Sequence, residues 1–476
     1  MQVEGNYFFS GNFAPVSEER DECDLPVTGK IPEGLSGALY RVGPNPQFAP
    51  RDNNYHWFAG DGMIHAFFID EGKVAYSNRW ARTPKWQLEN QAGKALFGTF
   101  GNPATSDPAA FGTSGGTANT NVIWHGGRLL ALEESHPAFE LDHLTLASKG
   151  CQSFGGTMDK RFTAHPKVDS HTGKLHFFAY SPDGPGTCGM LYGVIDGSGE
   201  LVHLDSFDMP YASMVHDFMV TEKHVLFPVM PLTTSIERAM QGKPLFAWEG
   251  DKSSYVGILP HAPSTADMRW FKTDACHVFH CMNAWEEGDT ITAYVMQSGV
   301  APGLPNADGA PGDAEKMAAR LCRWTFDLKS GNEHFEQVFL DDLTDEFPRI
   351  DDRYCGRRNR FGFYTCHADR RIRDEAESVL YGTLACFDFE TGRRQLYTLP
   401  DGDVISEPVF VPRSQDAEEA DGWLLAVACR GKEQRSDLLI FEARHVNDGP
   451  IASVHLPCRI PFGFHGNWRP TDRADV

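Results

Sequence analysis

The sequence predicts a large all-β fold, and two observations carry that expectation. A short β-rich run, an Asp-plus-Gly turn and a second β-rich run recur along the 476 residues, and no Pro- or Ser-rich linker divides the chain. Copies stand at Phe-Phe-Ile-Asp-Glu-Gly-Lys-Val-Ala-Tyr (67–76), Val-Asp-Ser-His-Thr-Gly-Lys-Leu-His-Phe-Phe (168–178) and Val-Ile-Asp-Gly-Ser-Gly-Glu-Leu-Val-His-Leu (194–204). Two more stand at Phe-Asp-Leu-Lys-Ser-Gly-Asn-Glu-His-Phe (326–335) and Phe-Asp-Phe-Glu-Thr-Gly-Arg-Arg-Gln-Leu-Tyr (387–397). Asp and Gly supply turn conformations that join antiparallel strands, while β-branched and aromatic flanks suit a pleated surface. A β-propeller closes so many hairpins without long free edges, and a series of separate β-sandwiches is the competing arrangement. The unbroken pattern favours a single domain spanning 1–476.

Three Gly/Pro-rich stretches interrupt the strands, at 101–116, 181–189 and 300–312, and residues 232–247 read as a short helix starting near Ser235 and ending around Gly242–Pro244. Loops and a lone helix on a β scaffold cover one face and carry the site, so a capped pocket is expected.

A formal charge of −22 disfavours nucleic acid and anionic membrane surfaces as partners. Apolar residues make up 41% of the chain, with 33 Phe and 10 Trp, which is enough for a sizeable core. Eleven cysteines lack any CxxC spacing, and the N-terminus lacks a signal-peptide pattern, so reduced thiols in a cytoplasmic protein are expected. No apolar run reaches the roughly 18 residues of a membrane span. Neither the nucleotide pattern GxxxxGK[ST], nor HExxH, nor a calcium-binding EF-hand loop occurs.

Nineteen histidines must mostly be ordinary. Four sit among large apolar residues: His165 in Phe-Thr-Ala-His-Pro-Lys, His216 in Ser-Met-Val-His-Asp-Phe, His280 in Val-Phe-His-Cys-Met and His465 in Pro-Phe-Gly-Phe-His-Gly-Asn-Trp. A polar imidazole there needs a partner. That partner can be a metal or a plain hydrogen bond, and gaps of 51, 64 and 185 residues do not decide between them.

Ordered segments along the whole chain resemble the carotenoid cleavage oxygenase family, which includes the stilbene- and phenylpropene-cleaving enzymes. They are Gly-Asn-Phe-Ala-Pro-Val (11–16), Ile-Pro-Glu-Gly-Leu-Ser-Gly-Ala-Leu-Tyr-Arg-Val-Gly-Pro-Asn-Pro (31–46), His-Trp-Phe-Ala-Gly-Asp-Gly-Met-Ile-His-Ala (56–66) and Ala-Asn-Thr-Asn-Val-Ile (118–123). The four histidine segments, Glu-Phe-Pro-Arg-Ile (346–350) and Glu-Pro-Val-Phe-Val-Pro-Arg (407–413) complete the set.

The resemblance implies a seven-bladed β-propeller with iron on its axis and a loop-and-helix cap. It implies Fe(2+), one per chain, on His165, His216, His280 and His465, with Glu134, Glu346 and Glu407 orienting the rings and Thr120 near an open coordination position. The implied reaction is oxidative cleavage of an alkene by O2 to two carbonyl products. In the stilbene-cleaving relatives a Phe, a Tyr and a Lys recognise a 4-hydroxyphenyl group, and the matching residues here are Phe58, Phe100 and Glu133. Tyr-to-Phe removes a donor and Lys-to-Glu inverts the charge, yet a carboxylate can still accept from a neutral phenol.

The expected substrate is therefore a small hydrophobic 4-hydroxyphenyl alkene of the 4-vinylguaiacol, isoeugenol or hydroxystilbene type, giving an aromatic aldehyde such as vanillin. Apocarotenoid or carotenoid cleavage is the alternative, because the N-terminal segments resemble that branch and Phe279, Phe462 and Phe464 would suit either pocket. A non-enzymatic propeller that binds hydrophobic ligands is a remoter one, as is a zinc- or calcium-dependent hydrolase. The assembly, including a homodimer, is left open.

Overall fold

Asp-Gly turns make the hairpins. Strand Gly62–Asp70 pairs with Lys73–Trp80, Asp70 facing Lys73 across a two-residue turn. Both turn residues, Glu71 (φ 46°) and Gly72 (φ 74°), lie in the left-handed region. A two-residue turn of that kind matches the right-handed twist of the strands it joins. The computed structural model describes residues 5–51, 55–98, 100, 103–155, 161–261, 265–367 and 380–471. Gly101 and Asn102 of the first expected loop, and the chain termini of the expected 1–476 domain, lie outside the described residues.

Among the described residues, seven sheets of four to six strands form the blades of a seven-bladed β-propeller, accompanied by a two-stranded ribbon of Leu232–Thr234 and Phe246–Trp248. The chain divides into two compact units. One comprises Met1–Phe162, Leu380–Cys386 and Gln395–Val476, and the other Thr163–Val379 and Phe387–Arg394.

The first unit interlocks the two ends of the chain. The C-terminal strand Gly466–Pro470 pairs with Gly37–Pro44, so that Arg41 faces Gly466. The N-terminal strand Val27–Gly29 pairs in turn with Ala452–His455. Leu25, Ile31, Leu39, Phe67, Trp423, Leu438 and Val454 pack into a core between these sheets. Burying each such side chain contributes on the order of 1.5–3 kcal/mol. In the second unit a comparable core gathers Leu226, Val256, Phe271, Ile291, Val295, Trp324 and Phe326.

The short helix expected near Ser235 is present as Ile236–Met240, with the Ser235 side chain accepting from Arg238 N. It ends earlier than expected, at Met240. A second helix, Pro84–Ala92, is absent from the sequence expectation although its punctuation is complete: Thr83 caps it, Pro84 opens it and Gly93 closes it at φ 67°. All eleven cysteines carry free thiols. No helix among the described residues is long and apolar enough to cross a membrane.

Candidate metal centre and its aromatic wall

In the second unit, three histidines arrive on three different segments. His165 follows Thr163, whose hydroxyl accepts from His165 N at 3.0 Å. His216 precedes the strand Met219–Val220, and His280 lies within His277–Glu287. That last strand changes register against Thr290–Ser298 between Val278 and Cys281. Such a break re-aims a side chain that regular alternation would fix. His165 Nε2 stands 3.0 Å from His216 Nε2, which stands 3.2 Å from His280 Nε2. The rings meet edgewise, at 64° to 72° between planes.

Glu346 fixes the outer edge of His280. Its Oε2 accepts from His280 Nδ1 at 2.5 Å and from the backbone N of Phe347 at 2.9 Å. The strand Thr344–Arg349 shifts register just there, and Phe347 takes φ 55°. A left-handed backbone costs a bulky residue about 1–3 kcal/mol, so packing must hold it. The Phe347 ring stacks on His280 at 5.5 Å.

In the first unit His465 is set the same way. Its Nδ1 donates to Glu407 Oε1 at 2.8 Å, and Gly466 N donates to Glu407 Oε2 at 3.0 Å. Arg41 holds the carbonyls of Glu407 (3.1 Å) and Phe464 (2.8 Å). Thr120 lies beside this histidine: its carbonyl accepts from His465 N at 3.2 Å, and its hydroxyl donates to Asn119 Oδ1 at 2.9 Å. Glu134 occupies the bend after the strand Arg128–Leu132.

His165, His216, His280 and His465 each offer one ring nitrogen, and the four atoms lie within 4.8 Å of one another. With Nδ1 donating to a carboxylate, the Nε2 of His280 and of His465 carries a bare lone pair. Lone pairs that face each other repel unless a proton or a metal cation lies between them. Two nitrogens about 2.1 Å from a common ion and at right angles to each other would be separated by ~3.0 Å, in line with the two observed contacts. The donor set therefore fits a divalent transition metal, and imidazole suits iron, zinc and copper alike.

Aromatic rings form a wall beside His465. Phe58 meets Phe464 at 5.6 Å and Phe100 at 5.4 Å, and Trp57 meets Phe464 at 4.3 Å. Asn119 fastens the turn that carries Phe58, donating to the carbonyls of Phe58 and Gly60, both at 2.8 Å. His56 packs on Phe58 at 4.2 Å, and burial pushes its pKa down to about 4, so it is neutral. Phe279 packs on His216 at 5.4 Å in the second unit.

Glu133 is already engaged. His136 Nδ1 bonds its Oε1, Thr117 N donates to Oε1 at 3.4 Å, and Thr117 Oγ1 donates to Oε2 at 3.2 Å. Burial alone would raise the Glu133 carboxyl, but the charge and hydrogen bond of His136, with those from Thr117, hold it below its ordinary value. Burial likewise opposes charging of His136, and the Glu133 carboxylate overrides it and raises the imidazole. Sequence reading passes over His56, His136 and Asn119. The signal for His136 is the Glu133-x-x-His136 spacing, an acid and an imidazole placed to meet across one bend.

A further pattern, Gly112-Thr-Ser-Gly-Gly116, matches the hydrolase signature GxSxG letter for letter. Ser114 sits exposed in an irregular loop with neither strand before nor helix after it, so the strand-turn-helix elbow that makes such a serine nucleophilic is missing.

The comparisons with known proteins agree with this geometry. The family described as retinal pigment epithelial membrane protein matches residues 13–470. The chain is 37% identical over 466 residues to isoeugenol monooxygenase of Pseudomonas putida, covering 97% of each chain. It is 36% identical over 478 residues to lignostilbene-α,β-dioxygenase isozyme III of Sphingomonas paucimobilis, covering 98% of each. The crystal structure of Pseudomonas brassicacearum lignostilbene dioxygenase superposes with a TM-score of 0.94 at 36% identity, covering 99% of this chain and 100% of that one.

Proposed function

The chain belongs to the retinal pigment epithelial membrane protein family, the carotenoid cleavage oxygenases, and from that premise we propose that it uses iron(II) and dioxygen to split the alkene of a 4-hydroxyphenyl substrate. The substrate class is that of 4-vinylguaiacol, isoeugenol or a hydroxystilbene. One alkene and one O2 give two carbonyl compounds, one of them an aromatic aldehyde such as vanillin. The observation that carries the reading is the convergence of four imidazole nitrogens within 4.8 Å beside a wall of aromatic rings.

His165, His216, His280 and His465 would hold the iron. Bound there, iron(II) would supply the redox chemistry that lets dioxygen react with an electron-rich double bond. Glu346 and Glu407 keep Nδ1 of their histidines protonated, which leaves Nε2 free as ligand and fixes the ring plane. Glu134 is assigned the same task for a third ring. Thr120, tied to Asn119 and His465, is assigned the task of limiting water at an open coordination position through its methyl. Phe58, Phe100 and Phe464 hold the aromatic ring of the substrate and keep its surroundings dry. Glu133, with His136, forms the polar end that meets the ring hydroxyl. No side-chain base is required for the O–O and C–C steps themselves, which move no proton.

A two-part experiment tests this. Metal content is measured after purification without added metal, and oxygen uptake after iron(II) reconstitution. The reconstituted enzyme is then given 4-vinylguaiacol, isoeugenol, a hydroxystilbene and an apocarotenal, with and without air, and aldehydes are identified by mass. Air-dependent cleavage of a phenolic alkene is expected. Stoichiometric zinc with no oxygen uptake would overturn the oxygenase reading, and cleavage of the apocarotenal alone would overturn the substrate class.

A further inference from the structure

One carboxylate beside the histidines touches no imidazole among the contacts of the site. Asp217 directly follows His216 and is buried, with 2% of its side chain accessible. Its Oδ1 accepts from Lys167 Nζ at 2.7 Å and from the backbone N of Phe218 at 2.8 Å. Its Oδ2 accepts from the backbone N of Cys281 at 2.8 Å. Lys167 lies two residues beyond His165, and Cys281 directly follows His280. A single carboxylate thus joins the three segments that bring His165, His216 and His280 together.

The bond to Cys281 falls at the register break of its strand, between Val278 and Cys281. There the sheet ladder is irregular, and a bond from outside the sheet adds to the pairing that Cys281 keeps with Val295. Asp217 supplies that bond. Lys167, with 20% of its side chain accessible, neutralises the carboxylate and anchors it from the His165 side. A buried ion pair is a poor stability device, since a well-packed apolar pair of similar volume often does as well or better. Its value here is geometric, because it ties together the main-chain segments that carry the three histidines.

We propose that Asp217, held by Lys167, is a positioning residue of the metal centre. It fixes the separation of His165, His216 and His280 at which their nitrogens accept a metal ion. The proposal rests on the four-histidine reading above, and it assigns Asp217 a task distinct from that of Glu346 and Glu407, which act on rings. Partners of this kind change metal affinity by about 10–100-fold when lost.

The test compares the full-length wild type with Asp217→Asn and with the double variant Lys167→Met/Asp217→Asn, which leaves no unpaired buried ammonium. Each is loaded with Co(II). Affinity is read by competition against a chromogenic chelator, and coordination by the ligand-field absorption of bound Co(II). The expected result is 10–100-fold weaker binding with displaced absorption bands in both variants, while far-UV circular dichroism matches the wild type. Wild-type affinity and bands in a folded variant would overturn the proposal. If neither variant folds, the pair is a folding element and the proposal falls. Failure of the wild type itself to bind Co(II) would overturn the metal-centre reading, and this proposal with it. Tight wild-type binding beside unaltered variants would overturn this proposal alone.

Discussion

Replacing His136 by Ala isolates its pair with Glu133. Glu133 would keep only its two Thr117 bonds, at 3.4 and 3.2 Å, and would lose its one bond to a cation. A hydrogen bond to a charged group contributes about 1.5–3 kcal/mol net. The imidazole is 31% accessible and the carboxylate 15%, so solvent screening moves the expected loss toward the lower end, about 1–2 kcal/mol. Its pH dependence has a definite sign. Folding raises His136 above its ordinary value of 6.5, so that contribution is complete below 6.5 and fades as pH rises through the folded value. Folding lowers Glu133 below its ordinary 4.5, so its contribution is complete above 4.5 and fades as pH falls through the folded value. The pair is therefore worth most between 4.5 and 6.5. Urea unfolding of wild type and variant at pH 6 and pH 9 reads this directly, and a double-mutant cycle with Glu133→Gln isolates the coupling. An equal loss at both pH values, or a coupling near zero, would refute the ion pair.

Three further outcomes are expected. Glu407→Gln offers a single acceptor oxygen to two donors, His465 Nδ1 and Gly466 N, and turns an NH2 toward the other. Iron affinity should fall about 10–100-fold with the fold intact, and unchanged retention of iron against a chelator would contradict the assigned role. Lys85→Met removes the ammonium shared by Asp61 (2.6 Å) and Glu89 (2.9 Å), leaving two buried carboxylates side by side. Denaturant unfolding should show a loss of about 3–5 kcal/mol, and a loss under 1 kcal/mol would count against a buried network. Glu133→Lys places an ammonium beside the His136 imidazole, and in a competition assay products should shift toward those of hydroxystilbenes. An unchanged product ratio would mean that Glu133 does not face the ring hydroxyl.

Local chemistry made much of the fold legible. The Asp70–Gly72 turn and the Ser235 cap are set by conformations and hydrogen bonds of neighbouring residues, and both stand where the pattern places them. The helix Pro84–Ala92 was equally legible from Thr83, Pro84 and Gly93, but its nine residues lack a strong apolar stripe and the strand pattern around it dominates the reading. The site divides differently. Spacing alone left His165, His216, His280 and His465 unconnected, and only the resemblance of their surrounding segments joined them. The register breaks at His280 and Glu346 and the left-handed Phe347 had no sequence signal, because a bulge is a relation between two strands rather than a property of one. Glu133 was legible as a residue but not as half of a pair. Its partners Thr117 and His136 are set by the bend after Leu132.

The carboxylates of the centre share one device. Glu346 takes the Nδ1 of His280 together with the backbone N of Phe347, Glu407 takes the Nδ1 of His465 together with Gly466 N, and Asp217 takes Cys281 N together with Phe218 N. A ring anchored through a carboxylate to the main chain cannot reorient without moving backbone, whereas a ring held by another side chain needs only a rotamer change. The metal end is thereby fixed by groups that tolerate little substitution. The proposed substrate end rests mainly on side-chain contacts, Phe58 on Phe100 and Glu133 on His136, with one long backbone bond from Thr117 N to Glu133 at 3.4 Å, so a single replacement there changes shape or charge with little demand on the backbone. Differences in substrate between this chain and its relatives should therefore be written at Phe58, Phe100, Glu133 and His136, and differences in chemistry should not arise there. A Phe100→Tyr or Glu133→Lys exchange that altered iron affinity rather than substrate preference would break that division.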